Sequence, residues 1–190
     1  MNQTTVQKKE QLFGKIDTLR YFFEEPEREF HLREFARLIR HSPSTTAKYL
    51  SELLKNGVLI TRKNKGLLLY KSNTENRLYK DTKLFYNLQI IRSSGLIDYL
   101  IEEFNHPKVI ILFGSFRKSE NIPESDMDIF VETAIKRELD LSQFEKKLKH
   151  PIQLFQFSSK ELEEMKSKNK ELLNNILNGI ILDGFLEVFK

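Results

Sequence analysis

Two aspartates separated by one residue, Asp126 and Asp128, are the most chemically suggestive pair in the chain. They lead into an apolar run, Ile129-Phe130-Val131, with the composition of a strand. Residues i and i+2 of a strand point to the same face. Asp126 and Asp128 would therefore project together and share hard divalent cations, for which carboxylate oxygens are suited; magnesium is the natural candidate. Two such cations close together can stabilise the attacking and leaving oxygens of an in-line phosphoryl displacement. Eleven positions before Asp126 stands Ser115, preceded by Gly114. This Gly-Ser directly follows residues 109–113, VIILF, which read as a buried strand. The charged stretch FRKSENIPES between Gly-Ser and Asp126 reads as a short helix or loop.

Joined together, residues 106–132 read HPKVIILFGSFRKSENIPESDMDIFVE. The combination of apolar strand, Gly-Ser, spacer and Asp-x-Asp resembles the signature of the DNA polymerase β-like nucleotidyltransferase superfamily, especially its small minimal-nucleotidyltransferase branch. The resemblance covers about residues 106–184. It implies a small mixed sheet flanked by helices. It also implies that Asp126 and Asp128 are catalytic and hold Mg2+, and that Gly114 and Ser115 bind a nucleoside triphosphate. Gly114 would let the backbone approach the triphosphate, and Ser115 would bond a phosphate oxygen beside amide N–H groups. Arg117 and Lys118 are near enough in sequence to add charge, and simple surface exposure explains them equally well. The implied reaction transfers a nucleoside monophosphate to an acceptor hydroxyl. The acceptor can be a protein, as in toxin-neutralising minimal nucleotidyltransferases, so a toxin partner is one expectation.

In that family a third carboxylate usually lies on a later strand and activates the attacking hydroxyl. The matching segment here, residues 150–157, reads HPIQLFQF and holds no Asp or Glu. Gln153 takes the expected place, and an amide is neither a base nor an anionic ligand. Glu120 and Glu124 lie close by in sequence. The departure bears on catalysis and leaves the fold expectation intact. It favours an alternative reading: a catalytically silent transcription regulator whose nucleotidyltransferase-like domain only binds nucleotide or a partner.

The elements before the motif form a different pattern. Residues 8–24 read as an amphipathic helix with Leu12, Ile16, Leu19 and Phe23 on one stripe, ended by Pro26. A short strand at residues 30–32, a helix at 33–39 and a second helix follow. Ser42 is a good N-cap and Pro43 fits the first helical position of that second helix. Ala47, Leu50, Leu53 and Leu54 give its expected buried stripe, and Asn56-Gly57 ends it. Two β-prone runs, 58–61 and 67–71, flank the basic turn RKNKG. This order resembles bacterial and archaeal winged helix-turn-helix transcription regulators over roughly residues 8–72.

Charge agrees with that resemblance. Residues 1–72 carry 14 Lys and Arg against 8 Asp and Glu, whereas residues 73–105 carry 4 against 5 and residues 106–190 carry 13 against 14. A basic first third suits a polyanion partner. Ser44, Thr45, Thr46, Lys48 and Tyr49 sit at the start of the second helix, where a recognition helix presents residues to base edges. Arg62, Lys63 and Lys65, at the expected hairpin tip, would reach the backbone or minor groove. DNA is thus the expected partner of residues 1–72.

Residues 73–105 read as a helical connector. Leu84, Leu88 and Ile91 form one stripe with Phe85 beside it, Ser93-Ser94-Gly95 forms a break, and a second apolar helix follows. Such helices either pack on the next domain or form a homodimer face. The tail, residues 158–184, reads as a helix start at Ser158, a helix through Leu172, Leu173, Ile176 and Leu177 that ends at Asn178-Gly179, and a short apolar tail that joins the core.

The expected architecture is therefore α+β or α/β in two domains: residues 1–72 a winged helix, 73–105 a connector, and 106–190 a nucleotidyltransferase-like domain. The absence of cysteine excludes disulfides, thiolate zinc sites and a cysteine nucleophile. The four histidines show no zinc-ligand spacing. No apolar run approaches the roughly 20 residues of a membrane helix. The polar start MNQTTVQKKEQ lacks the apolar core of a secretory signal, so a cytoplasmic location is expected.

Overall fold

The computed structural model describes residues 16–187. The chain divides into two compact units, Met1–Tyr86 and Asn87–Lys190. The part of the helix expected over residues 8–15, with Leu12, lies outside the described residues.

The first unit is built on a Phe-rich core. Helix α1, Ile16–Glu24, buries Ile16, Leu19, Phe22 and Phe23. A two-residue strand β1, Phe30–His31, leads into α2, Leu32–Leu38, and α3, Pro43–Lys55. The rings of Phe22, Phe30 and Phe35 pack with centroids 4.8 to 5.5 Å apart. Ser42 caps α3 by accepting the Thr45 amide, with Pro43 in the first turn. The buried row of α3 is Thr46, Tyr49, Leu50 and Leu53, with Ala47 and Leu54 half-buried. The stripe expected from apolar spacing is thus rotated. Thr46 is admitted because its hydroxyl donates to the Ser42 carbonyl at 2.9 Å.

Strands β2, Leu59–Asn64, and β3, Leu67–Ser72, form an antiparallel hairpin, and β1 pairs on the other edge of β3. Only Lys65 and Gly66 form the turn, both at positive φ, the mark of a tight two-residue hairpin. Both strands therefore run further than expected. Arg62 and Lys63 are strand residues, not turn residues.

Helix α4, Arg77–Ser94, begins in the first unit and ends in the second. Its apolar residues mislead: Leu84 and Leu88 are half-buried and Phe85 is 45% exposed. The buried positions are Tyr79, Thr82, Lys83, Tyr86, Asn87, Ile91 and Ser94. Thr82 and Ser94 satisfy their hydroxyls on backbone carbonyls of the preceding turn, which makes their burial tolerable. Gly95, at φ 84, breaks the helix, and α5, Leu96–Glu103, follows.

The second unit holds a four-stranded sheet: β4, Val109–Phe113; β5, Met127–Glu132; β6, Ile152–Phe157; β7, Ile180–Gly184. Its order is β6-β5-β4-β7, antiparallel except for the β5–β6 pair. That parallel pair requires a crossover, which contains α7, Ser142–Leu148. A short helix α6, Gly114–Lys118, links β4 towards β5, while α8, Ser159–Lys168, and α9, Lys170–Leu177, lie between β6 and β7. Helix α8 opens with a full capping box between Ser158 and Glu161.

Strand alternation divides the core. Ile110, Leu112, Met127, Ile129 and Val131 face α5 and α7, with Leu96, Leu100, Phe104, Phe144 and Leu148. Val109, Ile111, Phe113 and Phe130 face α8 and α9, with Leu162, Met165, Leu173 and Ile176. Helix α5 thus belongs to the core of the second unit. The mixed α+β architecture and the flanked mixed sheet agree with the expected nucleotidyltransferase fold.

Lys83 is 1% exposed, and burial pushes its ammonium down to about 8. Between that value and its ordinary 10.5, the unfolded chain holds a proton that the folded chain lacks. Stability should therefore rise with pH through this window, by at most about 1.4 kcal/mol per pH unit. Tyr49, Tyr79 and Tyr86 are pushed up by burial from their ordinary 10.0, so as pH nears that value their ionisation in the unfolded chain opposes the rise. Denaturant unfolding from pH 8 to 9, below the tyrosine range, should show the rise, and Lys83→Met should flatten it.

Candidate active site

The site forms where β4 ends beside the start of β5. In the antiparallel register Phe113 pairs with Asp128, so Gly114 turns away next to the Asp128 side chain. Gly114 has φ 67, and a Cβ there would collide with Asp128 Oδ2 and lie 2.9 Å from its Cγ. Glycine is needed for both reasons, conformation and space. Ser115 follows in the first turn of α6 and is half-buried; Arg117 and Lys118 are exposed.

Asp126 is exposed and Asp128 half-buried. Burial, and then the neighbouring Asp126 charge, hold the Asp128 carboxyl above the usual carboxylate range. A carboxylate whose ionisation is opposed by a neighbouring carboxylate suits a divalent cation, which would neutralise both. Among the described residues no cluster of three or more His, Cys, Asp or Glu side chains that could hold a metal ion occurs. Carboxylate oxygen donors fit Mg2+, with remaining positions open to phosphate and water.

The parallel register pairs Asp128 with Gln153. Register partners on neighbouring strands share a face, so Gln153 lies on the Asp128 face and is exposed. Phe155 and Phe157, two and four residues on, pack in the core of that face. The register that places Gln153 beside Asp128 is thus the observed one, whereas Asp126 precedes β5 and does not share the expected strand face. Glu120 and Glu124 are exposed on the loop between α6 and β5.

The approach to Asp126 is fixed by polar contacts that apolar patterning does not reveal. His150, 8% exposed, donates from Nδ1 to the Ser125 carbonyl at 2.9 Å. Its ring meets Phe116 edge-on at 4.8 Å. Met127 N–H donates to the Pro151 carbonyl, and Ser125 Oγ accepts the Ile122 amide. Asn87, on α4, donates to the Phe116 carbonyl and to Asn121. A histidine just before a strand and an asparagine in a helix carry no motif, so neither stood out in the sequence.

In the first unit the residues considered for nucleic acid divide. Ser44, Thr45 and Lys48 are exposed along one side of α3. Ser44 and Thr45 hydroxyls lie 3.0 and 2.9 Å from the capping Ser42 Oγ. Thr46 and Tyr49 are buried, at 0% and 8% exposure, and do not present themselves to a partner. The expectation for these two is corrected: helical periodicity turns them inward while their neighbours face out. Arg62 is engaged in a two-bond ion pair with Glu29, and Lys63 and Lys65 are exposed.

The family model described as a nucleotidyltransferase domain matches residues 93–181. That span contains Gly114-Ser115, the aspartate pair and Gln153, and it supports nucleotidyl transfer, in the generic sense, as the chemistry of this region. Comparison with curated proteins and with solved structures gives no match. No helix among the described residues is long and apolar enough to cross a membrane.

Because Asp128 is held above its ordinary range, its ionised form costs stability as pH rises through the raised value. At neutral pH and without divalent cations, Asp128→Asn should therefore raise the melting temperature. Added Mg2+ should raise the wild-type melting temperature and leave the variant's unchanged. Gly114→Ala should cost about 1 kcal/mol or more from its backbone conformation alone and abolish the Mg2+ response. Thermal melts with and without Mg2+ check all three.

Proposed function

We propose that this chain is a DNA-binding protein whose second unit transfers a nucleoside monophosphate from a nucleoside triphosphate to an acceptor hydroxyl. The observation that carries the reading is the Asp126–Asp128 pair, converging with Gly114 at the end of a two-sided buried sheet. Gly114 leaves room for the Asp128 carboxylate to sit against the turn, and Ser115 would offer its hydroxyl to a phosphate oxygen. Asp126 and Asp128 would hold the magnesium. When bound, Mg2+ neutralises the triphosphate and the charge that develops on pyrophosphate as it leaves. The acceptor hydroxyl would be carried by a protein, including a toxin partner.

Gln153 favours a second reading, a regulator that binds nucleotide without turnover. A positioned base contributes typically 10²–10⁴-fold, and an amide supplies none. Transfer by the wild-type chain is therefore expected to be weak. Gln153→Asp should raise it while changing nucleotide affinity little. Incubation with α-labelled nucleoside triphosphates, Mg2+ and cell lysate reads out the label. Strong wild-type transfer that Gln153→Asp leaves unchanged would sink this account of Gln153. Nucleotide binding, by calorimetry, should need a divalent cation and vanish in the Asp126→Asn, Asp128→Asn double variant.

For the first unit, a winged-helix reading rests on the sequence of two helices and a basic hairpin. The exposed Thr45 and Lys48 would meet base edges, and Lys63 and Lys65 the phosphate backbone. Binding should weaken steeply with salt as counterions are released. Charge reversal at Lys63 and Lys65 should weaken binding to all sequences, whereas Thr45→Ala should change sequence preference. Gel shifts with no affinity even at low salt would remove DNA from the proposal.

A further inference from the structure

The turn that carries Gly114 and Ser115 is too short to hold itself. Helix α6 spans five residues, and an isolated helix of that length has few internal bonds to stabilise it. It ends at Ser119, a buried non-glycine residue in the left-handed region at φ 62. Its last turn closes with a long Ser119 N–H to Phe116 carbonyl bond of 3.4 Å and a Glu120 N–H to Ser115 carbonyl bond of 2.9 Å. The Phe116 carbonyl also accepts a hydrogen bond from Asn87 Nδ2 at 2.9 Å. The same nitrogen donates to Asn121 Oδ1 at 2.9 Å. Asn87 is 0% and Asn121 4% exposed, so water does not compete for these bonds.

The amide orientation is dictated by its surroundings. Reversing it would set the Asn87 oxygen against two acceptors. As it stands, Oδ1 is buried with no hydrogen-bond partner. A leucine would avoid that orphan oxygen, so what asparagine adds is its two donor bonds. Those bonds continue inward: the Phe116 ring meets His150, and His150 holds the Ser125 carbonyl beside Asp126. Asn87, Phe116, His150 and Ser125 thus form a buried row joining both ends of the segment between the Gly-Ser and Asp-x-Asp motifs. Asn87 itself precedes the matched residues 93–181.

We infer that Asn87 is a positioning residue of the nucleotide site, fixing from within the fold the turn that presents Gly114 and Ser115 to the triphosphate. This rests on the reading of Gly114-Ser115 as the phosphate-contacting pair. Asn87 touches neither nucleotide nor metal; it acts through Phe116 and Asn121.

The test uses the full chain and separates metal from nucleotide. The probes are Mn2+ alone, followed by electron paramagnetic resonance, and non-hydrolysable analogues of the four ribonucleoside triphosphates with Mg2+, followed by calorimetry. Asn87→Leu should weaken the best-bound analogue about tenfold, the scale of a lost supporting hydrogen bond, while Mn2+ affinity stays within about twofold. Amide hydrogen exchange over residues 114–121 should quicken. Should Asn87→Leu fail to fold, Asn121→Ala removes one acceptor and should weaken the analogue by a smaller factor, about threefold. If the wild type binds an analogue and the folded variants bind it equally well, the inference is overturned and the site reading stands. A parallel loss of Mn2+ and analogue would mark Asn87 as merely structural and also overturn it. No analogue binding by the wild type would remove the site reading and this inference together.

Discussion

The two-residue alternation of β5 is the constraint on which the second unit rests. This strand lies between β4 and β6 and is covered by helices on both faces. Met127, Ile129 and Val131 must be apolar on one side and Phe130 on the other. Asp128 shares the Phe130 face, yet it stands at the start of the strand and is only half-buried. A carboxylate half-buried there sets a condition for its neighbours. The residue after β4 can carry no side chain, because Phe113 pairs with Asp128 and the following Cβ would strike its carboxylate. Gly114 and Asp128 are therefore one steric unit, although they lie 14 residues apart in the chain.

This is also why the site was legible in the sequence. A central strand buried on both faces is a near-continuous apolar run, and VIILF and IFV announce themselves. Carboxylates at the end of such a run are conspicuous because they interrupt it. The place of Gln153 could be aligned because IQLF repeats the alternation of the strand beside it, and the observed register pairs it with Asp128. Caps were equally legible at Ser42 and Ser158, where side chain and backbone act within one turn.

What stayed hidden depends on contacts distant in sequence. Along α4 the buried row is marked by hydrogen bonds and aromatic rings, not by aliphatic spacing. Tyr79 and Ser72 both donate to the Phe22 carbonyl at the end of α1, a pairing across 50 or more positions. Thr46 and Tyr49 looked like polar surface because residue type, taken alone, ignores the way a helix rotates. The hairpin turn was expected to be five residues wide because RKNKG is uniformly polar. Lys65 nevertheless enters the left-handed region beside Gly66, and the ladder closes at Asn64 and Leu67.

The two units also offer opposite electrostatic solutions to a phosphate-bearing partner. Cationic side chains at Lys48, Lys63 and Lys65 would meet phosphate directly, and their affinity would fall as salt replaces them. At Asp126 and Asp128 a bare phosphate is repelled, and only a cation held between carboxylate and phosphate reverses the sign. The second arrangement is switchable by its ion, whereas the first is graded by ionic strength. Gln153 fits within this logic. A third carboxylate would draw the cation more tightly and serve as a base, whereas an amide in register with Asp128 leaves the pair's charge at two. On the proposed reading the site would gather a nucleoside triphosphate through its counter-ion, and its action on an acceptor would turn on a side chain with no proton to exchange.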